Sequence, residues 1–172
     1  ISRQQGVPPI NPRSNLKKLL NTWGVDFDDK KAVLDAEYGF RISRNINGRD
    51  IQVTNYPWLN IRGDGLTQNE SSLSNLSTIV MTTAGSFISN NDKIMLEPII
   101  TSSIKSGLGE AQKAGNPKGD PRDLLSDIKA KDQKHIVSGW IKSDLKTSFQ
   151  NFKKSNDTEQ LMKSTNKSNI LL

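Results

Sequence analysis

The chain has 172 residues, which is enough for one domain with a single core, and its 24 Lys and Arg against 18 Asp and Glu give a formal net charge of +6 at pH 7. It contains no Cys, so disulfides, thiolate metal ligands and cysteine nucleophiles are excluded. Hydrophobic residues make up only 33% of the chain, and we therefore expect a modest core and extensive loops.

The Lys and Arg residues are spread along the chain and often stand beside acids, as in residues 26–31 and 129–132. Polyanion-binding proteins usually concentrate their basic residues on one face or one helix. We therefore expect a solvated basic surface and no nucleic acid partner. No stretch has the ~18–20 apolar residues that a membrane-spanning helix needs. The first residues show no initiator Met or signal peptide, and residues 170–172 resemble the start of a strand. We expect a piece of a longer polypeptide.

The first predicted element is an amphipathic helix. Apolar residues follow one another at helical spacing from Leu16 to Trp23, after Ser14 as a plausible N-cap and before Gly24 as a C-terminal cap. Residues 32–35 predict a strand after this helix. We expect the apolar side of the helix to face the core.

A hairpin is predicted next. Residues 40–43 and 51–54 both alternate apolar with polar side chains, and Asn47-Gly48 lies between them. An Asn-Gly pair between alternating runs is the strongest short-range hairpin signal. We expect an antiparallel pair with one solvent-facing side.

Tyr56 and Trp58 flank a proline directly after the hairpin. Two aromatic side chains on a loop are able to stack against a ligand, and they are equally able to cover the end of a core. These two residues are the candidate ligand or partner contacts of the chain, and the packing alternative stays open.

The most apolar stretch spans residues 76–103 and contains two short runs, 78–82 and 94–101, separated by turn-forming residues at 89–92. Apolar runs of this length are typical of strands buried on both faces. We expect them to be the central strands of an α/β fold, a mixed sheet with flanking helices.

The remaining chain is more polar. The Gly- and Pro-rich residues 104–121 predict a mobile loop. A short helix is expected from Asp120 or Pro121, and residues 135–141 predict another strand. We expect these elements to form a single domain over residues 1–172.

No catalytic or metal-binding pattern is found. His135 is the only His, no nucleophile elbow accompanies it, and it is expected at the surface before a strand. The cluster of Asp26, Asp28 and Asp29 lacks EF-hand spacing and fits a turn. We expect no cofactor, no metal site and no catalytic residue, and the residues favour a binding or structural domain over an enzyme.

A family resemblance accompanies these motifs. In order along most of the chain, the sequence resembles the gliding-motility-type (GldG-like) auxiliary proteins of ABC transporters. The motifs that carry the resemblance are YPWL at 56–59, SLSNL at 72–76, IVMTTAG at 79–85, LEPIITSS at 96–103, IVSGWIKS at 136–143 and TSF at 147–149. The opening at residues 16–24 and 33–35 also resembles that family.

The resemblance implies a glutamine-amidotransferase-like, flavodoxin-like layered α/β fold, of which this fragment represents a part. It implies a domain on the extracytoplasmic, periplasmic side of the inner membrane in a bacterial cell envelope. Segments outside this sequence would anchor that domain in the membrane, and permease and ATPase subunits of the same transport system would be its partners. It implies no catalytic residue. The leading hypothesis is therefore a non-enzymatic transporter auxiliary, and the alternative is a small-molecule or glycan-binding module that uses Tyr56 and Trp58.

Overall fold

The computed structural model describes residues 16–46, 48–68, 70–71, 73–92, 94–129, 133–145 and 165–172. Short helices and many strands alternate along them. The elements are α1 (Lys17–Thr22), β1 (Val25–Phe27), β2 (Lys31–Asp35), β3 (Gly39–Ile46), β4 (Arg49–Arg62), a first 3-10 helix (Gly63–Gly65), β5 (Thr78–Thr82), β6 (Phe87–Ser89), β7 (Met95–Thr101), β8 (Ser106–Glu110), α2 (Ala111–Ala114), a second 3-10 helix (Pro121–Asp127), β9 (Ile136–Leu145) and β10 (Thr165–Leu171).

The strands of the described residues form three sheets in which each pairing is antiparallel. The largest has the order β1-β6-β9-β10, and β7 also pairs with β9. The second joins β2 to β8, and the third has the order β3-β4-β5. β9 is thus the strand with most partners in the largest sheet, and β4 is the middle strand of the third.

One core cluster receives side chains from all three sheets. β2 contributes Val33, β4 contributes Leu59 and Ile61, β7 contributes Ile99 and Ile100, and β9 contributes Val137, all of them buried. Burial of apolar area is the main favourable term in folding. Since no sheet supplies this cluster alone, the three sheets stabilise one another.

The helix, hairpin and strand predictions for the first third are confirmed. α1 occupies the predicted positions, and Gly24 follows it with a φ of +72°. A Cβ on Gly24 would lie 2.6 Å from Cγ1 of Ile94, so the position favours glycine on both counts. β3 and β4 form the hairpin with Gly48 at φ +77°, and β2 begins one residue before the predicted strand.

The prediction for residues 76–103 is wrong about position, and its expectation of burial holds only for Ile99 and Ile100 at the end of the second run. In the part of the chain that the structure describes, β5 lies at the edge of the third sheet and β7 pairs with no strand except β9, so neither is central. Val80 is 56% exposed and Met95 is 61% exposed. The two apolar runs lie in different sheets. β5 alternates exposed with half-buried residues, whereas β7 is exposed at Met95 and Pro98 and buried at Ile99 and Ile100. A run of β-branched residues suits such a strand as well as it suits a fully buried one.

The expected mixed sheet with flanking helices is also corrected, although the coarse α/β class holds. The pairings described are antiparallel, and α1 and α2 have only six and four residues. Local antiparallel pairing needs no long crossover helix, whereas a parallel pair does.

The predicted loop at residues 104–121 contains β8 and α2 instead. A Cβ on Gly107 would collide with the backbone oxygen of Asp127, and one on Gly109 would lie 2.6 Å from Cδ1 of Leu34. The glycines therefore allow close packing of β8 against the second 3-10 helix and β2, and the Gly content is not a sign of an unpaired loop.

Some predicted features fall outside the described residues, namely the Ser14 cap, Asn47 and the TSF motif at 147–149. Among the residues that are described, the helices are too short or too polar to cross a membrane.

Candidate functional site

A cleft of about 180 Å³ opens between the β3–β4 hairpin and the segment that runs from α2 into the second 3-10 helix. The hairpin and the α2 segment supply most of the walls, and the residue after β5 completes them. The lining residues are Ile42, Arg44, Asn55, Trp58, Thr83, residues 113–117, Gly119, Asp120, Pro121 and Leu124.

Trp58 supplies the aromatic side chain that lines this cleft, and it is 42% exposed. A bulge in β4 places it there. Gly39 pairs with Leu59 while Phe40 pairs with Asn55, so residues 56–58 have no residue opposite them in β3. Bulges bend a strand and redirect its side chains. Pro57 is fully buried within the bulge, and Trp58 is left beside the cleft.

Tyr56 has a different role from Trp58. Its side chain is half-buried against a small cluster that contains Ala32, Leu34, Ala114 and Leu124, and it does not line the cleft. The expected loop location is wrong for both aromatics, because they lie within β4. Tyr56 packs against this cluster, whereas Trp58 is exposed beside the cleft.

Thr83 is a strained residue at the edge of the cleft. Its φ is +53°, which is unusual for any residue with a Cβ and an outlier for a β-branched one. Its N–H donates to the carbonyl oxygen of Pro57 at 2.8 Å, which ties the strained residue to the bulge that carries Trp58. Backbone strain is retained most often at functional sites, so this position favours a functional role for the cleft.

Arg44 stabilises the turn that forms the opposite wall of the cleft. Residues 116–119, with the sequence Asn-Pro-Lys-Gly, form a turn in which the N–H of Gly119 donates to the oxygen of Asn116 at 3.1 Å. The guanidinium of Arg44 donates to the carbonyl oxygen of Gly119 and, at 3.4 Å, to that of Pro117. One side chain from β3 thus fixes a turn more than seventy positions away.

The charged side chains of the cleft rim are paired. Arg122 donates to the carboxylate of Asp120 at 2.6 Å, and Lys113 bonds Glu110 at 3.1 Å. Hydrogen bonds from the side chain and then the backbone of Arg122 lower the pKa of Asp120 to about 2. Besides these pairs and the Arg44 guanidinium, which is bonded to two carbonyl oxygens, the cleft offers an aromatic face and the amide groups of Asn55 and Asn116. This combination suits an uncharged polar ligand or a polar protein segment with one apolar group.

A second polar cluster lies inside the protein, around Asp35. The buried carboxylate accepts bonds from the N–H groups of Glu37 and Tyr38 and from both the N–H and the hydroxyl of Ser103, at 2.7 to 2.9 Å. Four donors satisfy this carboxylate, as a buried charge requires. The cluster anchors the turn after β2 to the segment after β7.

Tyr38, Asp64 and Lys134 form a third polar group. The hydroxyl of Tyr38 donates to Oδ1 of Asp64 at 2.6 Å, and Nζ of Lys134 donates to Oδ2 at 2.8 Å. The bond from Lys134 and then that from Tyr38 hold the pKa of Asp64 below its ordinary value. Burial, and next the bond to Asp64, raise the pKa of Tyr38 above its ordinary value.

His135 directly precedes β9, as predicted, and is half-buried rather than fully exposed. Its backbone N–H donates to Oγ of the fully buried Ser102 at 2.7 Å, and that oxygen also lies 2.8 Å from Oγ of Ser106. These bonds join the segment that follows β7 to the residue that precedes β9. The part of the chain that the structure describes contains no group of three or more His, Asp or Glu able to hold a metal ion.

The sequence carried partial signals for the site residues that were missed. Asn, Pro and Gly at the first, second and fourth positions of 116–119 match a type I turn. Nothing local marks Arg44 or Thr83, since the role of Arg44 depends on a distant turn and that of Thr83 on its backbone angle.

Comparison with known proteins identifies a family. Residues 2–172 match the family model described as "ABC-type uncharacterized transport system". No curated protein and no solved structure matches the chain.

Proposed function

The chain belongs to the ABC-type uncharacterized transport system family of auxiliary components, and from this premise we propose that it is a non-enzymatic subunit that contacts the permease or ATPase of its system. It acts on the extracytoplasmic side of a bacterial inner membrane, in the manner of the gliding-motility-type members, and is anchored there by segments outside these residues. A relation to glutamine-amidotransferase-like layered folds is part of the same proposal.

The exposure of Trp58 beside the cleft is the observation that supports a contact role most directly. Trp is among the residues that contribute most to binding at protein interfaces. On β4, Trp58 pairs with Thr82, and Asn60 pairs with the exposed Val80. A partner segment that covers Trp58 therefore meets both apolar and polar groups.

Co-purification of the full-length protein with its permease and ATPase tests the contact. W58A is expected to weaken the association, by about 2 kcal/mol or more if Trp58 is an interface anchor. M95A is the matched control, because Met95 is another exposed apolar side chain but lies in β7. Equal association of W58A, M95A and the wild type would reject Trp58 as the contact.

The location is tested by labelling. These residues contain no Cys, so Q52C, made in full-length protein from which any Cys elsewhere has been removed, provides a single thiol at an exposed position of β4. A membrane-impermeant maleimide should label this variant in cells whose outer membrane has been permeabilised. Labelling only after the inner membrane is disrupted would place the domain on the cytoplasmic side.

The second candidate function, binding of a small molecule or glycan, is supported by the same cleft. An aromatic face with amide groups beside it is a common arrangement for uncharged polar ligands. Titration with sugars and cell-wall fragments should give a saturable change in Trp fluorescence that W58A abolishes. If the titration gives no fluorescence change and W58A loses subunit association, ligand binding is rejected and the contact with the transporter is retained.

A further inference from the structure

β5 itself carries none of the features that usually protect a sheet edge. In the described part of the chain, β5 pairs only with β4 and stands at the end of its sheet. Residues 71–91 contain no charged side chain, although 24% of the chain is charged. Proteins usually protect exposed edges with charges, prolines or bulges. β5, with the sequence Thr-Ile-Val-Met-Thr, has none of these within it.

The hydrogen-bonding groups that face outward can be assigned from the register. Thr83 donates to the oxygen of Pro57, and these two residues continue the pairing of Thr82 with Trp58. Hydrogen-bonded pairs alternate along an antiparallel ladder, so Met81 and Ile79 bond β4 as well. The N–H and C=O groups of Val80 and Thr82 therefore point away from β4. Within the described residues, no hydrogen bond reaches these outward groups.

The side chains of β5 are also incompletely buried. Ile79 and Met81 pack against the main core cluster and yet remain only half-buried. Val80, on the opposite face, is 56% exposed. A further strand beside β5 would extend the sheet and also cover the open side of the core.

We propose that a second copy of this chain supplies that strand, through antiparallel pairing of β5 with β5 about a two-fold axis at Val80. In this register Val80 exchanges two hydrogen bonds with its counterpart, Thr78 lies opposite Thr82, and Ile79 lies opposite Met81. The two three-stranded sheets become one six-stranded sheet. This pairing uses the backbone edge of the sheet, whereas the contact proposed for Trp58 uses side chains on one face of that sheet.

The sequence of β5 favours a second copy over a different partner. Read in either direction, the strand gives Thr, a large apolar residue, Val, a large apolar residue and Thr. A two-fold interface requires such self-complementarity, and a closed dimer leaves no β5 edge for further growth. The net charge of +6 does not oppose the contact locally, because residues 71–91 are uncharged. Two short strands form a small interface, so the association is weak and depends on concentration.

Sedimentation velocity of the full chain over a wide range of concentrations tests the proposal. Wild type should pass from monomer to dimer, and V80K should raise the dissociation constant by about tenfold or more, because like charges would then lie directly opposite each other. I88K is the matched control. Ile88 is 55% exposed, carries the same change in charge, and lies in β6, which has β1 and β9 as partners.

A charge-pair experiment tests the register and guards against misfolding of one variant. V80E alone should be as monomeric as V80K, and an equimolar mixture of V80K and V80E should form a heterodimer. A wild type that stays monomeric throughout overturns the proposal, even if it binds another protein. Equal dimerisation of V80K and I88K, or a mixture that remains monomeric while wild type dimerises, overturns it as well.

Discussion

Thr83 concentrates backbone strain at the point where β5 meets the bulge of β4. A left-handed conformation costs a residue with a Cβ about 1–2 kcal/mol, and Asn tolerates it better than Thr. T83N should therefore raise the free energy of unfolding by about 1 kcal/mol, measured by urea denaturation. T82N is the control, because Thr82 lies in the extended strand, where Asn is disfavoured. A loss of stability in T83N would show that the Thr side chain stabilises the native state by more than its strain costs.

Tyr38 links stability to alkaline pH. Since its pKa is raised in the folded protein, the folded state holds the phenol proton more tightly than the unfolded state does. The stabilisation is complete below the unfolded pKa of about 10 and is lost as the pH rises above it. Y38F should cost about 1–2 kcal/mol at neutral pH through loss of the bond to Asp64. Y38F should also lose less stability than wild type between neutral and strongly alkaline pH.

Urea unfolding of both proteins across that pH range provides the measurement. Identical slopes of stability against pH in wild type and Y38F would contradict the assignment to Tyr38.

Asp64 links stability to acidic pH. Because its pKa is lowered, chiefly by the bond from Lys134, its contribution is present above its ordinary pKa and is lost as the pH falls below it.

At the scale of the elements, the close approach of the second 3-10 helix to β8 depends on Gly107. A Cβ at this position would meet the backbone oxygen of Asp127 and lie 3.0 Å from Cα of Ile128. Because backbone atoms cannot move aside as a side chain does, G107A should cost about 1–3 kcal/mol. G119A is the control, since its nearest contact is 3.4 Å from Asn116, and should change stability by no more than about 0.5 kcal/mol.

Urea denaturation compares the two variants. The G107A change also moves the wall of the cleft that contains Leu124, because that residue lies on the displaced 3-10 helix. A G107A variant as stable as G119A would mean that the helix can move away from β8 without loss of packing.

At the scale of the whole molecule, the shared core predicts that the three sheets unfold together. Leu59 is fully buried in the cluster that also contains Val33, Ile99 and Val137. L59A should lower the free energy of unfolding by about 2–5 kcal/mol. Trp fluorescence and far-UV circular dichroism should report the same midpoint. The surface variant I88A should change stability by only about 0.5 kcal/mol. Separate transitions for the two signals would show that the sheets fold independently.

The sequence by itself determined the local elements. The spacing of Leu16 to Trp23, the glycine at 48 and the apolar runs at 78–82 and 94–101 correctly predict a helix, a hairpin and strands, because helix and turn formation depend on neighbouring residues. The order of its motifs also pointed to an auxiliary family of ABC transport, which the family match over residues 2–172 supports.

Only the tertiary structure decided how these elements are used. Periodicity does not show which sheet a strand joins or whether it lies at an edge, since both depend on pairing between residues far apart in the chain. Val80 is exposed because its side chain lies on the sheet face opposite the core. A register shift against β3 places Trp58 beside a cleft, while Tyr56 packs against a small cluster. The same long-range contacts convert Gly107 from an expected loop residue into a packing position, because close approach is a property of the neighbours that the fold supplies.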